Sequence, residues 1–177
     1  MYDDSQVFLN HLCVNLNGII YWGGYKKKGN GFLLATVFAF RLVNEEFFDI
    51  SPPMSVHNEK MILNVSLLNE SIALIAFHFD EHRTSQCFDV WVMSEGSGSN
   101  GNNRYSWTML LKLEPPFPEK LSRLEFQRNG ELICFIDRQI IILNPNSQGV
   151  KKIRVPRARG VFYYEEILIS IKRASTR

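Results

Sequence analysis

The sequence contains few cysteines, and their spacing excludes the usual cysteine-based sites. Cys13, Cys87 and Cys134 are the only three among 177 residues. A disulfide framework carries an even, dense set, and a structural zinc site needs close pairs such as Cys-x-x-Cys. The spacing therefore indicates buried thiols in a reducing compartment, and we expect a cytoplasmic or nuclear location.

Long apolar runs and an excess of charge of one sign are also missing. No run approaches the roughly 18 residues of a membrane span, and the N-terminal residues, with Asp3 and Asp4, do not form a signal peptide. The 20 basic and 18 acidic residues give a net charge of +2. Charge therefore favours neither nucleic acid nor a membrane as a partner.

Convincing helical segments are absent, and strand signals take their place. The stretch 66–116 holds two short apolar runs (72–79 and 88–93), a Gly/Ser/Asn loop, and an aromatic-led run (105–113) that stops at a proline pair. Each run has the length of a strand and is too short for a helix. This stretch is predicted as a four-stranded antiparallel sheet.

Weaker copies of the same pattern lie on both sides. An Asn-led tight turn precedes an apolar strand at Asn17-Gly18, Asn69-Glu70 and Asn129-Gly130, a hairpin signal because these residues tolerate positive φ. Each copy ends at proline, which supplies no hydrogen-bond donor to a strand ladder. The repeat predicts an all-β fold of antiparallel four-stranded blades, a partial, kelch-like β-propeller array.

The predicted organisation follows from these copies. It comprises a polar lead-in (1–11), a β domain (12–171) with units at about 12–53, 62–116 and 121–156 and extra strands at 161–171, and a basic tail (172–177). Three units do not close a ring, so we expect two open sheet faces. The chain is then the C-terminal half of a longer domain, a truncated product, or a protein whose open faces a partner covers.

Two side-chain patterns define the predicted core. Phe38, Phe40 and Leu42 share one face by the two-residue period of a strand. The last strand of the second unit is predicted to place every second residue on one face, namely Tyr105, Trp107, Met109, Leu111 and Leu113. The aromatic residues that recur at similar places in the units are predicted to be blade core: Tyr21, Trp22, Trp91 and Trp107.

Motifs that resemble catalytic or cofactor sites lack the structural context they need. Residues 96–101 fit G-x-G-x-x-G, but a strand follows where a dinucleotide site needs a helix N-terminus. His78 and His82 flank two carboxylates in a predicted solvated loop, without a third ligand in evidence. No nucleophile elbow or Cys/His pair stands out. We expect no cofactor, no metal and no enzymatic activity.

Loops at the blade ends are the candidate contact surfaces, because the strands form the core while the loops are free to vary. The loops are 23–31, 78–86 and 94–104. The lysines among them fit either an acidic partner or a solvated surface. The candidate contact residues are Tyr25, Lys26, Lys27, Lys28, Arg83, Arg104 and Tyr105.

With these residues in view, the sequence resembles the F-box-associated domain of plant F-box proteins, including the kelch-like and S-locus-type members. The resemblance is carried by ordered blocks that span about 12–171: NGIIYW (17–22), VFAFRL (37–42) with EF (46–47) and PP (52–53), FDVWVM (88–93) with SW (106–107), NGELI (129–133) and YEEIL (164–168). Arg41 stands where the family usually has Asp.

The resemblance implies a function in protein degradation. In the family an F-box docks on the adaptor of a cullin-based (SCF-type) ubiquitin ligase, and the β-rich domain selects the target. The expected function is therefore a protein-binding substrate-recognition module without catalysis, whose adaptor docking needs an F-box missing from this sequence. The alternatives are a truncated remnant without a ligase role and a galactose-oxidase-like enzyme or carbohydrate-binding propeller.

Overall fold

The computed structural model describes residues 6–29, 31–56, 61–79, 86–97, 103–114, 124–127, 129–136, 139–147 and 149–155. No α-helix occurs within these ranges, and one 3-10 turn, Met54–Val56, follows the fourth strand. The strands are β1 (Val7–Leu16), β2 (Ile19–Lys27), β3 (Leu33–Arg41), β4 (Glu46–Ile50), β5 (Ile62–Leu68), β6 (Ser71–Phe79), β7 (Gln86–Ser97), β8 (Asn103–Leu113), β9 (Glu125–Phe126), β10 (Leu132–Ile136), β11 (Gln139–Asn144) and β12 (Gly149–Arg154).

The strands form three four-stranded antiparallel sheets, and each sheet follows chain order. Sheet 1 contains β1–β4, sheet 2 contains β5–β8 and sheet 3 contains β9–β12. This architecture confirms the predicted fold class of four-stranded antiparallel repeats. The predicted extra strands (161–171) and basic tail (172–177) lie outside the described residues.

Two local predictions were wrong. β1 begins at Val7, inside the predicted polar lead-in, and β2 continues to Lys27, inside the predicted loop 23–31. Glycines suggested that loop, but Gly23 serves close packing instead: a Cβ there would lie 2.6 Å from the carbonyl oxygen of Leu63. Glycine inside a strand often marks such a close backbone approach.

Two of the three Asn-led hairpins adopt the backbone that their sequences predict, whereas at Asn129-Gly130 only Gly130 has positive φ, 79°. Asn17 and Gly18 have φ of 52° and 75°, and Asn69 and Glu70 have φ of 46° and 60°. Positive φ at both central residues matches the right-handed twist of the flanking strands. These turns set the register of β1 on β2 and of β5 on β6.

Two apolar seams hold the sheets together, and sheet 2 is buried on both faces. The first seam joins sheets 1 and 2 through Tyr21, Ala35, Val37, Ala39, Ile50, Leu63, Val65, Ile72, Leu74, Ala76 and Met93. The second seam joins sheets 2 and 3 through Leu68, Ala73, Ile75, Phe77, Phe88, Val90, Leu124, Phe126, Leu132, Cys134, Ile141 and Leu143. Sheets 1 and 3 cover the two faces of sheet 2, and this is why the side chains of β6 are apolar on both faces.

A bulge corrects the predicted face of β8. β7 pairs Val90 with Leu111 but the next residue, Trp91, with Met109, so Leu110 is an extra residue in β8. One extra residue reverses the alternation of side chains. Tyr105 and Trp107 therefore pack in the first seam, whereas Leu111 and Leu113 pack in the second seam. They do not share the single face that the sequence predicted.

Hydrogen bonds between the sheets connect strands that hold the same position in their respective sheets. The Asn10 amide of β1 donates to the carbonyl oxygen of Leu63 in β5. The backbone N–H of Phe126 in β9 donates to Ser66 Oγ in β5 over 3.0 Å. Trp107 Nε1 in β8 donates to the Ser51 carbonyl, just past β4, over 2.8 Å. First strands thus stack on first strands, and fourth strands on fourth strands.

Candidate partner-binding surface

The predicted contact residues divide between two opposite ends of the sheets. β2 ends and β3 begins at the end that holds Lys26, Lys27 and Lys28, called here the lysine end. β7 ends and β8 begins at the other end, beside the 17–18 turn, called here the turn end. Arg104 and Tyr105 begin β8 at the turn end, so the candidates do not form one patch.

At the lysine end, two of the three lysines are already paired. Lys26 Nζ lies 3.1 Å from Asp49 Oδ2 on β4, and Lys27 Nζ donates to Gln6 Oε1 over 3.4 Å. Lys28 is exposed in the turn that follows β2. Pairing lowers the capacity of the first two ammonium groups to bind an external anion, which leaves Lys28 as the best placed of the three.

The loop after Lys28 presents an aromatic ring. The Lys28 N–H donates to the Phe32 carbonyl over 2.8 Å, and the Gly31 N–H donates to the Lys28 carbonyl over 2.8 Å. Gly31, with φ of 85°, permits this tight reversal. The side chain of Phe32 is 61% exposed. An ammonium group and an exposed apolar ring thus lie on the same turn.

Tyr25 contributes to packing more than to a surface. It lies in β2 opposite Phe8 and Ala35 and packs against the first seam. Burial raises the pKa of its phenol above 10.0, the ordinary value. A phenol that remains neutral and faces the seam is a poor candidate for the contact residue that the sequence predicted.

At the turn end, Tyr105 packs in a cluster that the sequence did not predict. Its ring is stacked with Phe48, with centroids 6.0 Å apart and planes inclined by 15°. The Arg41 guanidinium lies 5.2 Å from the centre of the Phe48 ring and 3.7 Å from Glu46 Oε2. Arg41 thus binds an acid and an aromatic ring of the neighbouring strand.

Buried tyrosines give this cluster its electrostatic character. The pKa of Tyr21 is raised to about 12, chiefly by burial and also by the charges of Tyr105 and Glu95, against an opposing effect of Arg41. The Tyr105 hydroxyl and Trp91 Nε1 are buried without a hydrogen-bond partner in the described part of the chain. The cluster is chiefly apolar packing, and the sequence missed it because β4 and β8 meet only in the tertiary structure.

The other predicted residues lie partly outside the described ranges. Arg83 and His82 lie outside them, and Arg104 is described through its backbone, which pairs with Gly96. His78 is not in a solvated loop as predicted: it lies in β6, half-buried, with Nε2 3.5 Å from Asp89 Oδ1. The sequence is polar at this point and suggested a loop, but backbone pairing with β7 continues through His78.

The described residues contain no cluster of three or more His, Cys, Asp or Glu placed to hold a metal ion. Within the same ranges, no helix is long and apolar enough to cross a membrane. What the surface presents is charge and aromatic area on hairpin ends, which suits contact with another protein.

Comparison with known proteins defines the family. A family model of the F-box associated beta propeller domain matches residues 2–138. A search of curated proteins found no match. A solved structure, the beta-propeller domain of the Trilobed protease from Pyrococcus furiosus, is similar at 12% identity and a TM-score of 0.43, covering 89% of this chain and 45% of that one. Because the family model spans most of the sequence, the chain belongs to the F-box associated β-propeller family.

Proposed function

We propose that this chain is the target-selecting module of an SCF-type ubiquitin ligase receptor, with no catalytic role of its own. Membership of the F-box associated β-propeller family carries the proposal. The seams support it, since they use the sheet faces between neighbouring sheets for packing and leave the hairpin ends for recognition. The proposed location is the cytoplasm or nucleus of a plant cell.

The lysine end is the proposed contact surface for the target protein. Lys28 offers an exposed ammonium group, and Phe32 offers an exposed ring on the same turn. An acidic segment with an apolar side chain complements this pair. The ammonium group attracts the carboxylate, and the apolar side chain displaces water from the surface of the ring. The target is therefore proposed to present such a segment.

The test begins with the 177-residue chain fused to an F-box domain and expressed in plant cells. Proteins captured with the fusion are then purified singly, their binding is measured by calorimetry, and their ubiquitination is assayed with a reconstituted cullin ligase. Saturable binding together with ubiquitination supports the proposal. Captured proteins that fail to bind in purified form, or that bind without becoming ubiquitinated, would overturn it.

A matched pair of double variants tests the contact surface. Lys28→Glu with Phe32→Ser should weaken target binding by about tenfold or more, since it reverses one charge and removes one exposed ring. Lys112→Glu with Met54→Ser makes comparable changes at exposed positions outside the turn that carries Lys28 and Phe32 and should leave binding unchanged. Equal loss in both would show that net charge, and not the pair of Lys28 and Phe32, governs binding.

A further inference from the structure

In the described part of the chain, two sheet faces have no other sheet packed on them, and both are apolar at the centre. The outer face of sheet 1 is the side away from sheet 2, and its cross-strand partners are Cys13, Ile20, Trp22, Phe38, Phe40, Phe47 and Asp49. The outer face of sheet 3 is the side away from sheet 2, and its partners are Glu125, Ile133, Ile140, Ile142, Lys151 and Ile153. Phe47 is 70% exposed and Ile153 37% exposed.

We propose that two copies of this chain pair head to tail, with the outer face of sheet 1 in each copy packed on the outer face of sheet 3 in the other. Two copies contribute six sheets, a number within the usual range of about four to eight blades in a closed propeller. A two-fold axis makes the two contacts identical, so one pairing covers both open faces at once. This inference is independent of the proposed ligase function.

The seams within the chain show how such faces pack. Fourth strands stack on fourth strands at Trp107 and Ser51, and first strands stack on first strands at Phe126 and Ser66. The same stacking between copies puts β12 against β4 and β9 against β1. The isoleucines of the two middle strands of sheet 3 then meet the aromatic rings of the two middle strands of sheet 1.

Charge complements this apolar contact. Lys151 on β12 lies on the outer face of sheet 3, and Asp49 on β4 lies on the outer face of sheet 1. With β12 stacked on β4, the ammonium group of one copy comes to the carboxylate of the other. Lys26, which already binds Asp49 at 3.1 Å, would hold that carboxylate in place.

The available area is sufficient for a stable pair. Four strands about 4.8 Å apart, with about five residues per strand on average at 3.3 Å each, give a face of roughly 320 Å². Two contacts between copies cover four such faces, roughly 1,300 Å² for flat faces. Protruding side chains add further area to this value. Stable protein interfaces bury about 1,200–2,000 Å² in total.

Sedimentation equilibrium of the 177-residue chain is the first measurement. The expected species has twice the 20.5 kDa mass of the chain. A monomer at micromolar concentration would overturn the proposal. An open series of larger polymers would overturn the closed pair as well, since head-to-tail contacts that do not close form filaments.

Three single variants then identify the faces used. Phe47→Asp and Ile153→Asp each place a charge in the proposed contact and should raise the dissociation constant by more than about tenfold. Met54→Asp is the matched control, because Met54 is 90% exposed and lies outside both faces, and it should remain dimeric. Circular dichroism checks that each variant is folded.

The pattern among the variants separates this arrangement from others. If Ile153→Asp remained dimeric while Phe47→Asp did not, the copies would pair through sheet 1 alone, and the head-to-tail arrangement would be wrong. If Met54→Asp dissociated as strongly as Phe47→Asp, the association would follow from general surface polarity, and the proposal would fail.

Discussion

Gly23 occupies a point of close approach between sheets 1 and 2. A Cβ at this position would meet the Leu63 carbonyl oxygen at 2.6 Å and the Leu63 Cβ at 3.0 Å, whereas a Cβ at Gly29 would meet nothing within 4 Å. A backbone carbonyl in a strand cannot move aside as a flexible side chain can. The absence of a side chain at Gly23 is therefore a requirement of the first seam.

Replacement of Gly23 by alanine is expected to destabilise the protein by about 1–3 kcal/mol, the usual cost of overpacking. Gly29→Ala is the matched control, and its effect should lie within about 0.5 kcal/mol of zero. Urea unfolding followed by tryptophan fluorescence measures both. Equal stability of the two variants would show that the sheets separate easily at this point.

Tyr21 gives the protein a predicted dependence on alkaline pH. Burial raises the pKa of its phenol from 10.0 to about 12. In the window between these values the unfolded chain releases the proton and the folded chain keeps it, so the contribution to stability is complete below about pH 10 and is lost as the pH rises. Tyr21→Phe removes this contribution.

The variant Tyr21→Phe should therefore lose less free energy of unfolding than the wild type between about pH 9 and pH 11.5. Urea unfolding at several pH values in this range provides the comparison, and the lysines and other tyrosines cancel because both proteins contain them. If the free energies of unfolding of the two proteins fell in parallel with pH, Tyr21 would not be the group responsible for the pH dependence.

At the scale of elements, the first strands of the sheets are linked by specific polar bonds. Ser66 on β5 accepts the backbone N–H of Phe126 on β9, in a buried position 60 residues apart in sequence. β9 contains only Glu125 and Phe126, so this bond supplements a short ladder. The position of sheet 3 on sheet 2 thus depends on one hydroxyl group as well as on apolar packing.

Ser66→Ala is expected to cost about 1–3 kcal/mol, because it leaves the Phe126 N–H buried without its acceptor. Ser106→Ala removes an exposed hydroxyl whose contact with the Ser94 carbonyl is 3.5 Å long, and its effect should be close to zero. Thermal unfolding of the two variants gives the difference. A neutral Ser66→Ala variant would indicate that another group takes over the Phe126 N–H.

For the whole molecule, the two seams make stability uneven across the chain. The side chains of residues 72–77 in β6 are exposed by 1% or less, because sheets 1 and 3 cover the two faces of sheet 2. β12 is largely exposed and lies at the edge of sheet 3. Buried central strands open only with global unfolding, whereas edges open locally.

Hydrogen exchange should therefore be slowest in β6 and fastest among the strands in β12. Mass spectrometry of peptic fragments, with each segment compared at the same time points, measures the order. Exchange of β6 at the rate of β12 would mean that sheet 2 is not the centre of the folded molecule.

The sequence by itself determined the type of fold, since its signals are local. Alternating apolar residues, Asn-led turns and terminal prolines act through neighbouring residues, and they predicted four-stranded antiparallel repeats. Of the predicted core aromatics, Tyr21, Trp91 and Trp107 pack in the first seam, whereas Trp22 lies on the outer face of sheet 1. Predicted boundaries were less accurate where an interaction is distant. Gly23 suggested a loop because its reason for being glycine, the Leu63 carbonyl, lies 40 residues away.

The tertiary structure alone decided which residues act together. The bulge at Leu110 turned the end of β8 from one seam to the other, and sheet packing brought Arg41, Phe48 and Tyr105 into one cluster. It also put Lys28 and Tyr105 at opposite ends of the molecule, which no spacing along the chain reveals. The physical reason is that local patterns indicate which strands pair within a sheet. Contacts between sheets depend on which face each side chain occupies and on the twist of the sheets, and no local pattern specifies these.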